Sequence, residues 1–151
     1  MKKHTKRKPI RITKTTPTIF EVRAAFNPLD RMISALESGE LAVGIIDGRE
    51  EIYFEDDMLD RYPIIPVLDG WISCWERFIR VFGLTLDLEP LRVIMRKIGS
   101  DDLLTPAEVE SAKQCIEAQR QAYRKMDVYK IRDAANTEQI AIALDDAREA
   151  A

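Results

Sequence analysis

A stripe of apolar side chains between Asp69 and Phe82 is the clearest pattern along the chain. The apolar residues recur at spacings of three and four, which predicts a helix with one buried side. They are Leu68, Trp71, Ile72, Trp75, Phe78, Ile79 and Phe82. Pro66 precedes the segment, and Gly83 can end it in the left-handed conformation. We expect this helix to form the centre of the core, with its two tryptophans buried rather than lining a partner-binding groove.

Helical spacing also appears on both sides of this segment. Residues 18–26 could form either a short helix or an extended segment. Asn27-Pro28 is a favourable helix start, because asparagine is a good N-cap and proline fits the first helical position. Apolar residues at helical spacing follow, and Gly39 would end this helix. Beyond the aromatic segment, the residues from Leu88 to Ile98 predict a shorter helix.

The C-terminal third of the chain is predicted to be helical as well. The sequence TPAE, from Thr105 to Glu108, is a capping box with proline at the first helical position, which is a specific signal for a helix start. The helix that it opens should run to about Met126. Two short helices, Val128–Ala135 and Glu138 to about Ala147, are predicted to follow.

The segment LAVGIIDGREEIYF, from Leu41 to Phe54, has the alternation of a β-hairpin instead. Apolar residues alternate before and after Asp47-Gly48, which is a strong signal for a two-residue turn. An isolated hairpin is marginally stable in water, so this one should pack on the helices.

These elements together predict a mainly α protein of α+β character. We expect a compact bundle of four to six helices with one small β-hairpin, preceded by a flexible basic N-terminal arm. Residues 1–16 are predicted to be a disordered basic arm, because they combine like charge with low hydrophobicity. Residues 17–151 are predicted to form a single, mostly helical domain with one core of ordinary size.

The arm is also set apart by its charge. Seven of the 23 basic residues and none of the 26 acidic residues fall within residues 1–14, so the formal charge is +7 there and −10 in the remainder. The basic residues of the arm are Lys2, Lys3, Lys6, Arg7, Lys8, Arg11 and Lys14. They could neutralise nucleic-acid phosphates, although the arm has no Phe, Trp or Tyr to stack on a base and the acidic body would repel a duplex. A solvated tail and pairing with an acidic protein surface are the other interpretations.

An acidic stretch follows the predicted turn. It comprises Glu50, Glu51, Glu55, Asp56, Asp57 and Asp60. Its spacing is not that of a calcium-binding EF-hand loop, so we predict no metal site here. A solvated surface is one interpretation. The other is a partner-binding surface that presents a phosphate-like field to a basic partner, and we take these residues as the candidate site.

Catalytic equipment is scarce in the sequence, and we expect neither enzymatic activity nor a cofactor. The only histidine, His4, lies in the arm, and no nucleophile motif or phosphate-binding glycine loop is present. Cys74 and Cys115 lack metal-ligand spacing and should be reduced, buried thiols. No apolar stretch approaches the roughly 20 residues that span a bilayer, and no secretory signal is recognisable, so the expected location is the cytoplasm.

Several segments carry a resemblance to a known family. They are Met1-Lys2-Lys3 with Thr5-Lys6-Arg7-Lys8, Gly70-Trp71-Ile72-Ser73-Cys74-Trp75-Glu76-Arg77, Glu117-Ala118-Gln119-Arg120-Gln121-Ala122-Tyr123-Arg124 and Thr137-Glu138-Gln139-Ile140-Ala141-Ile142. Over most of its length the chain resembles small uncharacterised proteins of phages, prophages and other mobile elements in proteobacteria such as relatives of Burkholderia and Pseudomonas. This family has no agreed activity or site residues, so the resemblance implies only a context.

That context is an accessory protein that binds a host protein or ribonucleoprotein complex in the bacterial cytoplasm. Inhibition of host defence, anti-CRISPR action included, is one form that such binding takes. The alternative function is an accessory or regulatory protein that binds nucleic acid through its basic arm.

Overall fold

The computed structural model describes residues 15–56 and 58–135, which form helices around one small antiparallel sheet. The elements in chain order are α1 (Ile19–Ser38), β1 (Ala42–Ile46), β2 (Arg49–Glu55), β3 (Arg61–Pro63), α2 (Ile64–Phe82), α3 (Glu89–Gly99), α4 (Pro106–Tyr123) and α5 (residues 128–135). The sheet has the strand order β1-β2-β3. The predicted class, mainly α with a small β-hairpin, is confirmed. The basic arm and the predicted helix Glu138 to about Ala147 lie outside the described residues.

Helix α1 is longer than the sequence pattern suggested. Its N-cap is Thr18, which forms a capping box with Glu21, so the prediction that Asn27-Pro28 starts a helix is wrong. Pro28 lies inside the helix, where it removes the hydrogen bond to the carbonyl of Ala24. Ala24 is exposed, so water can reach this carbonyl, and the capping box together with one continuous apolar face outweighs the loss. The helix ends before Gly39, as predicted, with this glycine at φ 70°.

The predicted hairpin is present, with Asp47 and Gly48 at its turn. Both turn residues have positive φ, 51° and 78°, as a type I′ turn requires. A third strand, β3, was not predicted. It pairs with the end of β2 and continues without a loop into α2.

Helix α2 therefore begins at Ile64, five residues before the predicted start at Asp69. Pro66 does not precede the helix but occupies its first turn, where the missing N–H breaks no intrahelical bond. Gly83 ends the helix at φ 63°, as predicted.

The core is centred on α2, as expected from its apolar stripe. Trp75 and Phe78 are buried, and their rings lie 5.4 Å apart in an edge-to-face arrangement. Phe26 of α1 joins them: its ring centroid lies 5.0 Å from that of Trp71 and 5.6 Å from that of Tyr123 on α4. One aromatic cluster thus joins three helices.

A single polar side chain, Gln119 of α4, is buried within the described core, at 0% exposure. Its Oε1 accepts a hydrogen bond of 2.9 Å from the indole N–H of Trp71 on α2. Its amide nitrogen donates to no acceptor among the described residues. This hydrogen bond joins α2 to α4 through two residues that lie 48 positions apart in the sequence.

The capping box at the start of α4 forms as predicted, with Thr105 as the N-cap and Glu108 at the third helical position. Glu108 also accepts a hydrogen bond of 2.7 Å from the ammonium group of Lys97 on α3. Together these bonds hold the pKa of the Glu108 carboxyl at about 2, and the bond from Lys97 has the largest effect. The capping box therefore also joins α3 to α4.

The first described residue is bonded to the last helix of the described part of the chain. The carbonyl of Thr15 accepts a hydrogen bond of 2.8 Å from the N–H of Val128, the first residue of α5. Thr15, which lies within the predicted arm of residues 1–16, is thus attached to the folded body.

Candidate functional site

The acidic residues of the candidate surface do not form one continuous face. Successive side chains of a strand point to opposite sides, so Glu50 lies on one face of β2 while Glu51 and Glu55 lie on the other. Glu55 is in addition paired with Arg61 of β3, at 3.7 Å. Asp60 is exposed in the loop between β2 and β3, and Asp57 lies outside the described residues. The acidic residues that were predicted to form one surface therefore include some that lie on opposite faces of β2.

Asp56 has an internal role that charge alone did not suggest. One carboxylate oxygen accepts hydrogen bonds of 2.9 Å from the backbone N–H groups of Met58 and Asp60. The other accepts a bond of 3.1 Å from the hydroxyl of Tyr62. Partial burial acts to raise the pKa of this carboxyl, but the three hydrogen bonds and the charge of Arg31 together outweigh it, so the pKa lies below its ordinary value. Asp56 organises the loop rather than facing a partner.

Backbone bonds close the same loop. The N–H of Asp56 donates to the carbonyl of Asp60 at 3.1 Å, and the N–H of Leu59 donates to the carbonyl of Asp56 at 3.1 Å. Tyr62 is itself fixed, because its ring stacks on the buried Phe54 with a centroid separation of 5.4 Å. The loop is therefore attached to the core through Tyr62.

Two large apolar side chains project from this loop. Met58 is 80% exposed and Leu59 is 74% exposed. Leu59 also has a φ of 63°, in the left-handed region that is unfavourable by roughly 1–2 kcal/mol for a residue with a side chain. We call Met58 and Leu59, with the acidic residues around them, the Met58–Leu59 loop. It presents apolar side chains to water in a conformation that leucine disfavours.

The acidic residues of this loop were evident from the sequence, but its apolar pair was missed. The signal was present in the order of residues 55–61, EDDMLDR, in which two apolar residues interrupt an acidic run. An aspartate that bonds the backbone two residues further on is a common turn device, which could have assigned Asp56 to the loop structure.

A pocket of about 390 Å³ lies between α1 and α4, but both of its basic groups are paired with acidic groups of the same pocket. Arg120 bonds Asp30, and Lys113 lies 3.3 Å from Glu37. Because these pairs cross from one helix to the other, we interpret the pocket as a helix–helix seam rather than a ligand site.

Neither cysteine belongs to a metal-binding group of side chains among the described residues. Cys115 is buried, its thiol donates to the carbonyl of Asp87 at 3.4 Å, and burial raises its pKa to about 11. Cys74 is half-buried, less than expected, and no disulfide joins the two cysteines. Within residues 15–56 and 58–135, no three His, Cys, Asp or Glu side chains are grouped so that they could hold a metal ion.

In the part of the chain that the structure describes, no helix has the length and apolar character needed to cross a membrane. The seven basic residues of the arm, from Lys2 to Lys14, lie outside the described residues. Comparison with protein-family models, curated proteins and solved structures finds no match to this chain. The contacts of the Met58–Leu59 loop are therefore the basis for assigning a function.

Proposed function

We propose that the chain is a non-enzymatic accessory protein of a phage or mobile element that binds a host protein in the bacterial cytoplasm through the Met58–Leu59 loop. This proposal rests on one observation. The hydrogen-bonded loop keeps the large apolar side chains of Met58 and Leu59 exposed to water, and Leu59 has an unfavourable backbone conformation. Strain of this kind is concentrated at binding and catalytic sites, where function compensates for its cost. Inhibition of a host defence component is one form that the binding would take.

The loop indicates the chemistry of its partner. Exposed apolar anchors bind best in a pocket that excludes water. The hydrogen bonds of Asp56, Leu59 and Asp60 already restrict the backbone at these residues, which reduces the entropy lost on binding. The residues around the anchors are acidic, since residues 55–61 contain four acids and one arginine. We therefore expect an apolar pocket bordered by basic groups on the host protein, with the acidic rim increasing the association rate.

The proposal is tested by capture from a bacterial lysate with the full chain and two variants. Leu59→Asn removes the apolar anchor and places at this position a residue that tolerates the left-handed conformation. Leu103→Asn is the matched control, because Leu103 is 90% exposed on a different loop. We expect a partner that the parent and Leu103→Asn both retain and that Leu59→Asn loses.

A stability measurement accompanies the capture experiment. Leu59→Asn should melt at the same temperature as the parent or higher, since it relieves strain without removing a buried contact. Loss of the partner by a variant of unchanged stability assigns the effect to the loop. Retention of every captured protein by Leu59→Asn would contradict the proposal.

The same experiment distinguishes the alternative function. Seven basic residues without an acid in residues 1–14 favour nucleic-acid binding. In that case the captured material would be DNA or RNA, and it would be released by salt and by replacing the arm's Lys and Arg residues with glutamine. With about four to six phosphates contacted, the log–log salt slope for duplex DNA would be about −4 to −5. Leu59→Asn would leave that binding unchanged.

A further inference from the structure

Strand β1 is an edge of the sheet, and its free hydrogen-bonding groups follow from the turn. Ile46 pairs with Arg49 across the two-residue turn, so these residues exchange both backbone hydrogen bonds. Alternation then directs the N–H and C=O groups of Gly44 towards β2. Those of Val43 and Ile45 point away from the sheet. Among the described residues, no other strand covers this side of β1.

This edge lacks the features that usually protect an edge strand. Ala42–Ile46 contains no charged residue and no proline, and its register with β2 has no bulge. Val43 and Ile45 lie on the same face and are 61% and 65% exposed. An edge strand with these properties is a template for pairing with another strand.

The opposite edge of the sheet differs. Strand β3 has only three residues and ends in Pro63, which has no N–H to donate. Pairing is therefore favoured at β1 alone.

We propose that β1 pairs in antiparallel fashion with β1 of a second copy of this chain, around a two-fold axis at Gly44. In this register Val43 lies opposite Ile45 of the second copy, and the reverse pair is equivalent. Both residues direct their backbone groups outwards, so each pair exchanges two hydrogen bonds and the dimer gains four. The result is a continuous six-stranded sheet.

The side chains of this register suit a second copy. The four β-branched residues of the two strands, Val43 and Ile45 from each, would meet on one face. The β-branched cross-strand pairs that result are of a kind that stabilises antiparallel sheets. They extend the row that Val43 already forms with Ile52 of β2. Because the pairing is self-complementary, a single rotation closes it and no edge remains for a third copy at β1.

Gly44 fits the position on the axis. A side chain would not fit at Gly44, because an added Cβ would lie 2.8 Å from the ring of Tyr53 on β2. The ring thus covers the backbone on one face of the strand, and no side chain at the axis crowds the second strand.

The sign of the salt dependence distinguishes this interface from an ionic one. Glu40 and Asp47 flank β1, and Asp47 of each copy would lie opposite Leu41 of the other, next to Glu40. These like charges repel, so added salt should strengthen self-association. Docking of an acidic loop on a basic partner would instead weaken with salt.

Sedimentation equilibrium of the full chain over a range of concentrations tests the proposal. We expect a monomer–dimer equilibrium in the parent protein, and at least about tenfold weaker association for Val43→Lys and for Ile45→Glu, which corresponds to about 1.4 kcal/mol. Val81→Lys is the matched control, since Val81 is an exposed β-branched residue on α2. It should dimerise like the parent.

A mixture of the Val43→Lys and Ile45→Glu variants tests the register. With the axis at Gly44, the lysine introduced in one variant faces the glutamate introduced in the other, so the mixture should form a heterodimer that is tighter than the homodimer of either variant. A monomeric parent, or a mixture without a heterodimer, would overturn the proposal. The outcome is independent of the Met58–Leu59 loop, because Leu59→Asn leaves β1 intact and should dimerise normally.

Discussion

Removing the indole donor of Trp71 should destabilise the protein more than removing its buried acceptor. Trp71→Phe keeps an aromatic ring at this position but leaves the Gln119 amide without a partner at 0% exposure. An unpartnered buried polar group costs about 1–3 kcal/mol, and the smaller ring loses further apolar contact. We expect a total of about 2–4 kcal/mol.

Gln119→Leu is the informative counterpart. It loses one hydrogen bond, worth about 0.5–1.5 kcal/mol, but it also removes an amide nitrogen that already lacks a partner in the described core. Trp71 itself is only half-buried. We expect Gln119→Leu to lie within about 1 kcal/mol of the parent, and the double variant to be more stable than Trp71→Phe alone by about 1–2 kcal/mol.

Urea denaturation followed by far-ultraviolet circular dichroism measures all four proteins, because tryptophan fluorescence would change with the substitution itself. A cost above about 2 kcal/mol for Gln119→Leu, together with a negligible cost for Trp71→Phe, would refute the reasoning. That result would mean that the amide nitrogen has a strong partner, such as a bound water, and that the indole bond contributes little.

Two further predictions concern the core and its pH dependence. Trp75→Ala and Phe78→Ala should each cost about 3–5 kcal/mol, which thermal melts would detect, and melting within a degree or two of the parent would show that this stripe does not form the core. Because the folded-state pKa of Glu108 is lowered to about 2, its contribution to stability is complete above about pH 4.5 and is lost as the pH falls towards 2. Glu108→Gln should therefore flatten the pH dependence of the urea midpoint in that window, and an unchanged slope would contradict the role of the bond from Lys97.

Local signals predicted much of the fold where no competing signal was present. The TPAE sequence gave the start of α4 to the residue, and Asp47-Gly48 gave the turn of the hairpin. Thr18 and Glu21 form the same kind of capping box as Thr105 and Glu108. That box was overlooked because Asn27-Pro28 offered a second start nine residues later, and only tertiary packing decides that one helix continues through the proline.

The candidate site was less predictable, because its geometry depends on pairing between distant residues. Strand β3 has three residues and is defined by its bonds to β2 rather than by a period of its own. The left-handed conformation of Leu59 follows from the bonds that Asp56 makes once Tyr62 is stacked on Phe54. Charge counting located Asp56 and Asp60 but could not separate Asp56, which builds the loop, from Asp60, which is exposed.

The bond between Thr15 and Val128 has a consequence for how the body can be connected to other chains. It brings together the places where the chain enters α1 and begins α5, the last described helix, and residue 135 is only about 10 Å further along α5. Ser34 and Ala35, which border the end of β2, lie about 23 Å along α1 from its start. The two ends of residues 15–135 therefore lie close together, which suits this segment to insertion into a loop of another protein. Grafted into a surface loop of a carrier protein, this segment would keep both junctions on one side and the sheet on the other.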